Sequence, residues 1–198
     1  RFVSADNDIF KIFTLPFLRG DPKSALIDPF SVVISRSVEE EYFKYQDALG
    51  KVLIVQVWGE EIPLTVTGVM EEITSNSTFT AKFIVSTDLA VSYWSKRLKL
   101  NDLTVNWGAV PFGQTYILLP EKYNLSDLEK KLAGFEKTYI PEALGIRFRL
   151  QPMKDVYFRS SHLVNNWIIQ GDIRNVHVFS LVGLFILIIA SINYTILT

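Results

Sequence analysis

Residues 176–198 read VHVFSLVGLFILIIASINYTILT, and His177 is the one side chain in the run that can take a charge near neutral pH. At a rise of about 1.5 Å per residue, roughly 20 residues cross the ~30 Å hydrocarbon core of a bilayer. Helices on soluble domains carry a polar face, and this run has none. Leu, Ile, Phe and Val each contribute roughly −0.3 to −0.6 kcal/mol near the bilayer centre, a gain of several kcal/mol that Ser180, Ser191, Asn193 and Thr195 oppose only in part. The run predicts a transmembrane helix over 176–198, so residues 1–175 are tethered to a membrane. At 3.6 residues per turn, Ser180, Gly183, Ala190 and Ser191 fall within an arc of about 100°, with Asn193 beyond its edge. These five are the helix-packing candidates. Small residues let helices approach closely, and a carboxamide in lipid seeks a hydrogen-bond partner.

The remaining residues suffice for one ordinary domain or two small lobes with a real core. Lys and Arg number 20 against 21 Asp and Glu, giving a net charge of −1. That balance carries no basic footprint for nucleic acid. Cysteine is absent, which excludes disulfides, thiol catalysis and thiolate metal sites while leaving the compartment open. The text opens on Arg1 with no charged-then-apolar targeting pattern and reads as an excised segment.

Short strands and helices alternate along the chain. Residues 31–35 form a compact apolar run, and Ser37 with Glu40 makes a capping-box pattern before Tyr42 and Phe43, hence strand then helix. Residues 52–57 and 62–70 are β-rich and flank the polar turn Trp58-Gly-Glu-Glu61, which predicts a hairpin. Residues 83–86 read as a strand and 89–98 as a helix, with Lys96 and Arg97 suited to its C-terminal end. After the loop around Trp107, residues 114–119 read as a strand. Ser126 with Glu129 repeats the capping box, so 125–139 is an amphipathic helix bounded by Pro141. Alternation over 147–151 predicts a last half-buried strand. The fold class is α+β, a mixed or antiparallel sheet with short helices and room for two lobes, followed by the C-terminal transmembrane helix.

No pattern nominates a catalytic, cofactor-binding or metal-ligating residue. His162 and His177 do not form a helical pair. Gly20-Asp-Pro-Lys-Ser24 superficially resembles a phosphate loop, but Phe17 and Pro22 stand where glycines are required, and proline removes a backbone donor. A turn is the better reading. No nucleophile elbow exists, and no serine has lysine three positions on. Glu60-Glu61 and Glu71-Glu72 are adjacent pairs at strand ends, and adjacent strand residues point to opposite faces, so neither pair suits two-carboxylate catalysis. Asn76-Ser-Thr78 and Asn124-Leu-Ser126 match a glycosylation triplet that polar turns often produce by chance. Tyr93-Trp94 reads as core filling rather than as a contact surface.

Several blocks carry a family resemblance. Phe17-Leu-Arg-Gly-Asp-Pro22 with Ala25-Leu26, Pro29-Phe-Ser-Val-Val-Ile-Ser35, Tyr42-Phe43, Gly50-Lys51 and Val66-Thr-Gly-Val69 occur in an order that resembles the MacB-like extracytoplasmic domain of FtsX-like ABC transporter permeases. Asn76-Ser-Thr-Phe79, Trp107, Thr115-Tyr116, Pro152 with Asp155 and Tyr157, Gly171-Asp-Ile173 and Ala190-Ser-Ile-Asn-Tyr194 continue the pattern into what would be the second membrane helix. The departures are Ser191, where cysteine is frequent, and Lys44-Tyr-Gln-Asp-Ala-Leu49, where many relatives have Phe-Gly.

The resemblance implies a non-catalytic permease segment at the cell inner membrane. Residues 1–175 would be the periplasmic (extracytoplasmic) domain, with an inserted lobe within about 80–150, and 176–198 the second of four membrane helices. It implies a cytoplasmic ABC ATPase subunit or domain as partner, a second permease copy in a dimer, and a periplasmic adaptor or lipoprotein as a further candidate partner. ATP-driven closure would pass across the membrane as movement of this domain, for efflux or extraction of an amphiphile, peptide, antibiotic or lipoprotein. A membrane-anchored sensor or ligand-binding domain is the alternative, and a tethered hydrolase a weaker third.

Overall fold

A computed structural model describes residues 1–44, 46–57, 59–74, 76–77, 79–99, 113–140, 142, 145, 147–160 and 170–197. His162, Trp107, Pro141 and Thr78 of the first glycosylation triplet lie outside the described residues. The chain divides into two units, one of residues 1–75 and 80–149 and one of 76–79 and 150–198.

The first unit is built on a six-stranded mixed sheet. Its strands are β1 (Phe2–Ala5), β2 (Phe17–Gly20), β3 (Ser31–Ser35), β4 (Val52–Val57), β5 (Glu60–Met70) and β6 (Phe83–Ser86). The order is β1-β6-β3-β5-β2, with β4 also on β5. Strand β5 is long enough to serve three partners. Its residues 60–65 pair antiparallel with β4, 65–70 parallel with β3, and 68–70 antiparallel with β2. Thr65 faces β4 and β3 at once, so β4 and β2 lie end to end along the same edge of β5. The predicted hairpin is present, and its turn contains Gly59 at φ +86°, a conformation glycine adopts without penalty.

Alternation sets the core. Val32, Ile34, Leu53, Ile62, Leu64, Val66, Val69 and Val85 cluster with Val38 of α2 (Arg36–Phe43), Leu89 of α3 (Thr87–Leu98) and Ala48. Every residue of β3 is buried, as expected for a strand paired on both edges and covered on both faces. Between Val32 and Val33 the β3–β5 register shifts by one residue at Thr67, a bulge. The Thr67 hydroxyl donates to the carbonyls of Ala25 at 2.6 Å and Val32 at 3.3 Å. Next to it, Gly68 faces Gly20 across β2–β5. A β-carbon on Gly68 would sit 2.6 Å from the Phe17 ring, and one on Gly20 would sit 2.4 Å from the Thr67 carbonyl oxygen. Two of the sequence blocks thus meet at a contact that only glycines permit.

Helix α4 spans Leu125–Tyr139, as read from the sequence. Its cap is displaced: Asn124, not Ser126, is the N-cap, and its side chain accepts the Ser126 N–H at 3.0 Å. Helix α2 likewise begins after Ser35 rather than at Ser37, because the Glu72 carboxylate at the end of β5 accepts the Ser37 N–H at 2.8 Å. Two predicted strands do not form. Residues 114–119 and 147–151 are not in strands. The Phe148 N–H donates instead to the Glu136 carboxylate of α4. Alternation can mark a face, but a strand also needs an edge to pair with. The short elements β1, β2 and α1 (Ile9–Ile12) have no individual reading in the sequence.

The second unit contains α5 (Met153–Arg159) and α6 (Ile173–Leu197). The C-terminal helix starts three residues before the predicted Val176. The Asp172 carboxylate accepts the Arg174 N–H at 2.8 Å and its carbonyl accepts the Asn175 N–H at 3.1 Å, so Ile173 and the polar Arg174 and Asn175 form its first turn.

Candidate functional site

Among the described residues, one helix is long and apolar enough to cross a membrane: Ile173–Ile196, none of it buried. Thirteen Val, Leu, Ile and Phe side chains from Val176 to Ile196 are each 43–75% exposed. In water these would forgo on the order of 15 kcal/mol of apolar burial, as much as the whole stability of many domains. The polar groups are arranged for an apolar medium. The Ser191 hydroxyl donates to the Leu187 carbonyl at 2.8 Å and the Thr195 hydroxyl to the Ser191 carbonyl at 2.9 Å, bonds within the helix that need no water.

All five packing candidates lie on this helix. A β-carbon on Gly183 would meet nothing within 4 Å, so its face is open to another helix. The helical period places Leu187 and Tyr194 inside the same arc, a detail the sequence reading passed over. The arc is therefore two notches, Ser180 with Gly183 and Ala190 with Ser191, separated by Leu187. The Asn193 carboxamide has no hydrogen-bond partner among the described residues.

The base of α6 is firmly built. Helix α5 follows Pro152 at its N-cap, buries Val156, and ends at the buried Ser160, whose hydroxyl accepts from the Gln151 carboxamide at 3.1 Å. The Gly171 N–H donates to the Tyr157 carbonyl at 2.9 Å. Neither α5 nor this bond has a hydrophobic-period signal in the sequence.

Elsewhere the polar groups are occupied by structural work. In the Gly20–Ser24 turn, the Asn7 carboxamide donates to the Pro22 and Lys23 carbonyls at 3.1 and 2.9 Å and accepts the Leu26 N–H at 2.9 Å. The Lys23 N–H goes to the Asp21 carboxylate at 2.9 Å and the Ser24 N–H to the Asp21 carbonyl at 3.1 Å, so these donors do not converge on a phosphate. Glu71 pairs with Arg36 at 2.9 Å while Glu72 caps α2, and the two neighbours serve separate partners. Burial raises the Glu72 pKa, but hydrogen bonds from the Ser37 hydroxyl and N–H and from the Ser35 hydroxyl, with the Lys82 charge, outweigh it and hold the carboxyl below its ordinary value of 4.5. Burial holds the Tyr116 phenol above its ordinary value of 10.0, against the Arg1 charge.

A cleft of about 480 Å³ is lined by Leu18, Arg19, Arg36, Glu39, Glu40 and Asp47. Glu39, 7% exposed, takes a hydrogen bond from Arg19 and the Ala48 N–H at 3.0 Å. Arg19 Nε lies 3.2 Å from Asp47 without a hydrogen bond. Sequence reasoning missed this cluster, whose members are far apart in the chain. Its two arginines stand against three carboxylates, and it ties residues 47–48 to β2 and α2. Among the described residues no group of His, Asp and Glu could hold a metal ion.

Comparisons with known proteins bear on the whole arrangement. The MacB-like periplasmic core domain family matches residues 1–135. A domain of a protein described as a permease from Porphyromonas gingivalis is similar in structure, with a TM-score of 0.53 and 21% identity over 77% of this chain and 68% of that one. The periplasmic region of MacB from Actinobacillus actinomycetemcomitans has a TM-score of 0.42 and 15% identity over 70% of this chain and 56% of that one. No curated protein matches. The family match takes in both glycine blocks, the bulge at Thr67 and the complete sheet, and the chain belongs to the MacB-like periplasmic core domain family.

Proposed function

We propose that the chain is the extracytoplasmic domain of an ABC transporter permease together with the transmembrane helix that follows it. It serves to pass ATP-driven conformational change across the inner membrane rather than to catalyse a reaction. The observation that carries this reading is α6, wholly uncovered along 24 residues and capped by Asp172 at its start. Residues 1–175 would stand on the periplasmic side, a cytoplasmic ABC ATPase would supply the hydrolysis, and a second permease copy would complete a dimer. The cargo class is an amphiphile, peptide, antibiotic or lipoprotein, and an adaptor or lipoprotein on the periplasmic side would be a further partner. The notches at Ser180/Gly183 and Ala190/Ser191, with Asn193, would pack against other permease helices.

Expression of the whole permease that carries this segment in bacterial cells tests the reading. Alkaline carbonate should leave it in the membrane pellet, and protease added to spheroplasts should digest the sheet domain from outside. Release by carbonate, or protection of the sheet domain until the cells are lysed, would refute it.

A further inference from the structure

The base of α6 contains a contact with no explanation in local backbone geometry. Gly171 lies outside the left-handed region, so glycine is not required there for its φ. It leaves space for a ring. A β-carbon at residue 171 would lie 2.4 Å from Cε1, 2.8 Å from Cζ and 3.0 Å from Oη of Tyr157, closer than such atoms can approach. The Tyr157 ring therefore presses on the bare backbone of residue 171, and the Tyr157 carbonyl holds the N–H of that same residue at 2.9 Å. One residue further on, Asp172 caps α6. The contact and the helix are separated by no residue that could absorb a change of angle.

We propose that Tyr157 is a positioning residue, and that its ring and carbonyl clamp Gly171 into a stiff joint setting the direction in which α6 leaves α5. This rests on the reading of α6 as a membrane helix. The clamp suits that task because α5 is itself fixed, by the buried Val156 and by Gln151, whose carboxamide donates to the Asp155 carbonyl at 3.3 Å and to Ser160. Its leverage is large. A helix of this length is roughly 37 Å long, so a tilt of about 5° at its base moves the far end by about 3 Å. A loose joint would dissipate such a movement, whereas a clamped one delivers it to whatever packs on the helix.

The absence of cysteine makes the joint directly measurable. Spin labels at Lys154→Cys on α5 and Ile188→Cys on α6, in the full chain reconstituted into lipid nanodiscs, report the distribution of α5–α6 distances. The parent pair should give one narrow peak. Gly171→Ala, which pushes the ring away, and Tyr157→Ala, which removes it, should each roughly double the width, while Tyr157→Phe keeps ring and carbonyl and stays narrow. The melting temperature of the sheet domain should not change. If Gly171→Ala fails to fold, Tyr157→Ala carries the test. Parent width in Tyr157→Ala would overturn the joint, as would broadening in Tyr157→Phe or broadening that merely follows a falling melting temperature. A parent chain that does not associate with nanodiscs would instead overturn the membrane reading and the joint with it.

Discussion

Strand β3 and helix α6 are written in nearly the same alphabet and meet opposite fates. Val32, Val33 and Ile34 are fully buried, while Ile186, Leu187 and Ile189 are each more than half exposed. In β3 every apolar side chain is covered by the chain itself, through partners on both edges and both faces. In α6 none is covered, and the backbone polar groups and the Ser191 and Thr195 hydroxyls are nevertheless satisfied within the helix. The sheet supplies its own nonpolar medium. The helix is complete in everything except that medium, which is what the proposed membrane span requires.

A charge in the helix should break the comparison most sharply. Ile186→Lys exchanges a residue favourable in lipid for one costing roughly 2.5–3.5 kcal/mol at the bilayer centre. It should shift much of the chain out of the carbonate-resistant pellet while leaving the melting of the sheet domain unchanged. Leu64→Ala should do the converse. It removes a fully buried core side chain and should cost about 2–5 kcal/mol in denaturant unfolding of the sheet domain, with membrane retention intact. If either variant affected both regions, the two would not be separately solvated.

The notches of α6 give a smaller, directional effect. In the assembled permease, Gly183→Leu should reduce co-purification of helix partners or transport-coupled ATP hydrolysis more than Ile189→Phe on the other side of the helix. Equal tolerance would make α6 an anchor. The smallest effect concerns the cap of α2. Because the Glu72 pKa is lowered in the folded state, its contribution is present above its ordinary value of 4.5 and fades as pH falls through the lowered value. Glu72→Gln should cost about 0.5 kcal/mol at neutral pH, discounted for its exposed position, and the difference should vanish in acid. A difference that persisted at low pH would assign the cap to something other than the carboxylate.

The parts of this fold legible in the sequence were those whose signal is local. The hairpin carries β-rich runs on both arms of a polar turn with Gly59, and α4 carries an apolar stripe with a polar residue at its start. The long apolar helix needs only its length and apolarity. What the sequence concealed depends on partners far away in the chain. Strand β1 is four residues long and exists because β6 pairs with it. The two displaced caps have the same lesson, since Ser37 and Asn124 were adjacent to equally polar alternatives and the choice at α2 was made by Glu72, 35 residues downstream. Of the candidate site, the small residues of α6 could be read from spacing alone. The Tyr157–Gly171 contact could not, because both residues stood in the sequence as separate blocks with no period connecting them.

The pairing of β1 with β6 also fixes a sequence of events in time. Phe2 meets Phe83, and Ala5 meets Ser86, so β1 leaves the ribosome and waits for a partner made about 80 residues later. At 5–20 residues per second that interval is roughly 4–16 s, far longer than a hairpin such as β4–β5 needs to form. The hairpin can assemble while β1 is still idle, and closure of the sheet is the late, non-local step that limits the rate. Synthesis reaches α6, which begins at Ile173, only about 90 residues after β6 ends at Ser86. A nascent domain therefore has the opportunity to shield its own apolar strands before the most apolar segment of the molecule is made.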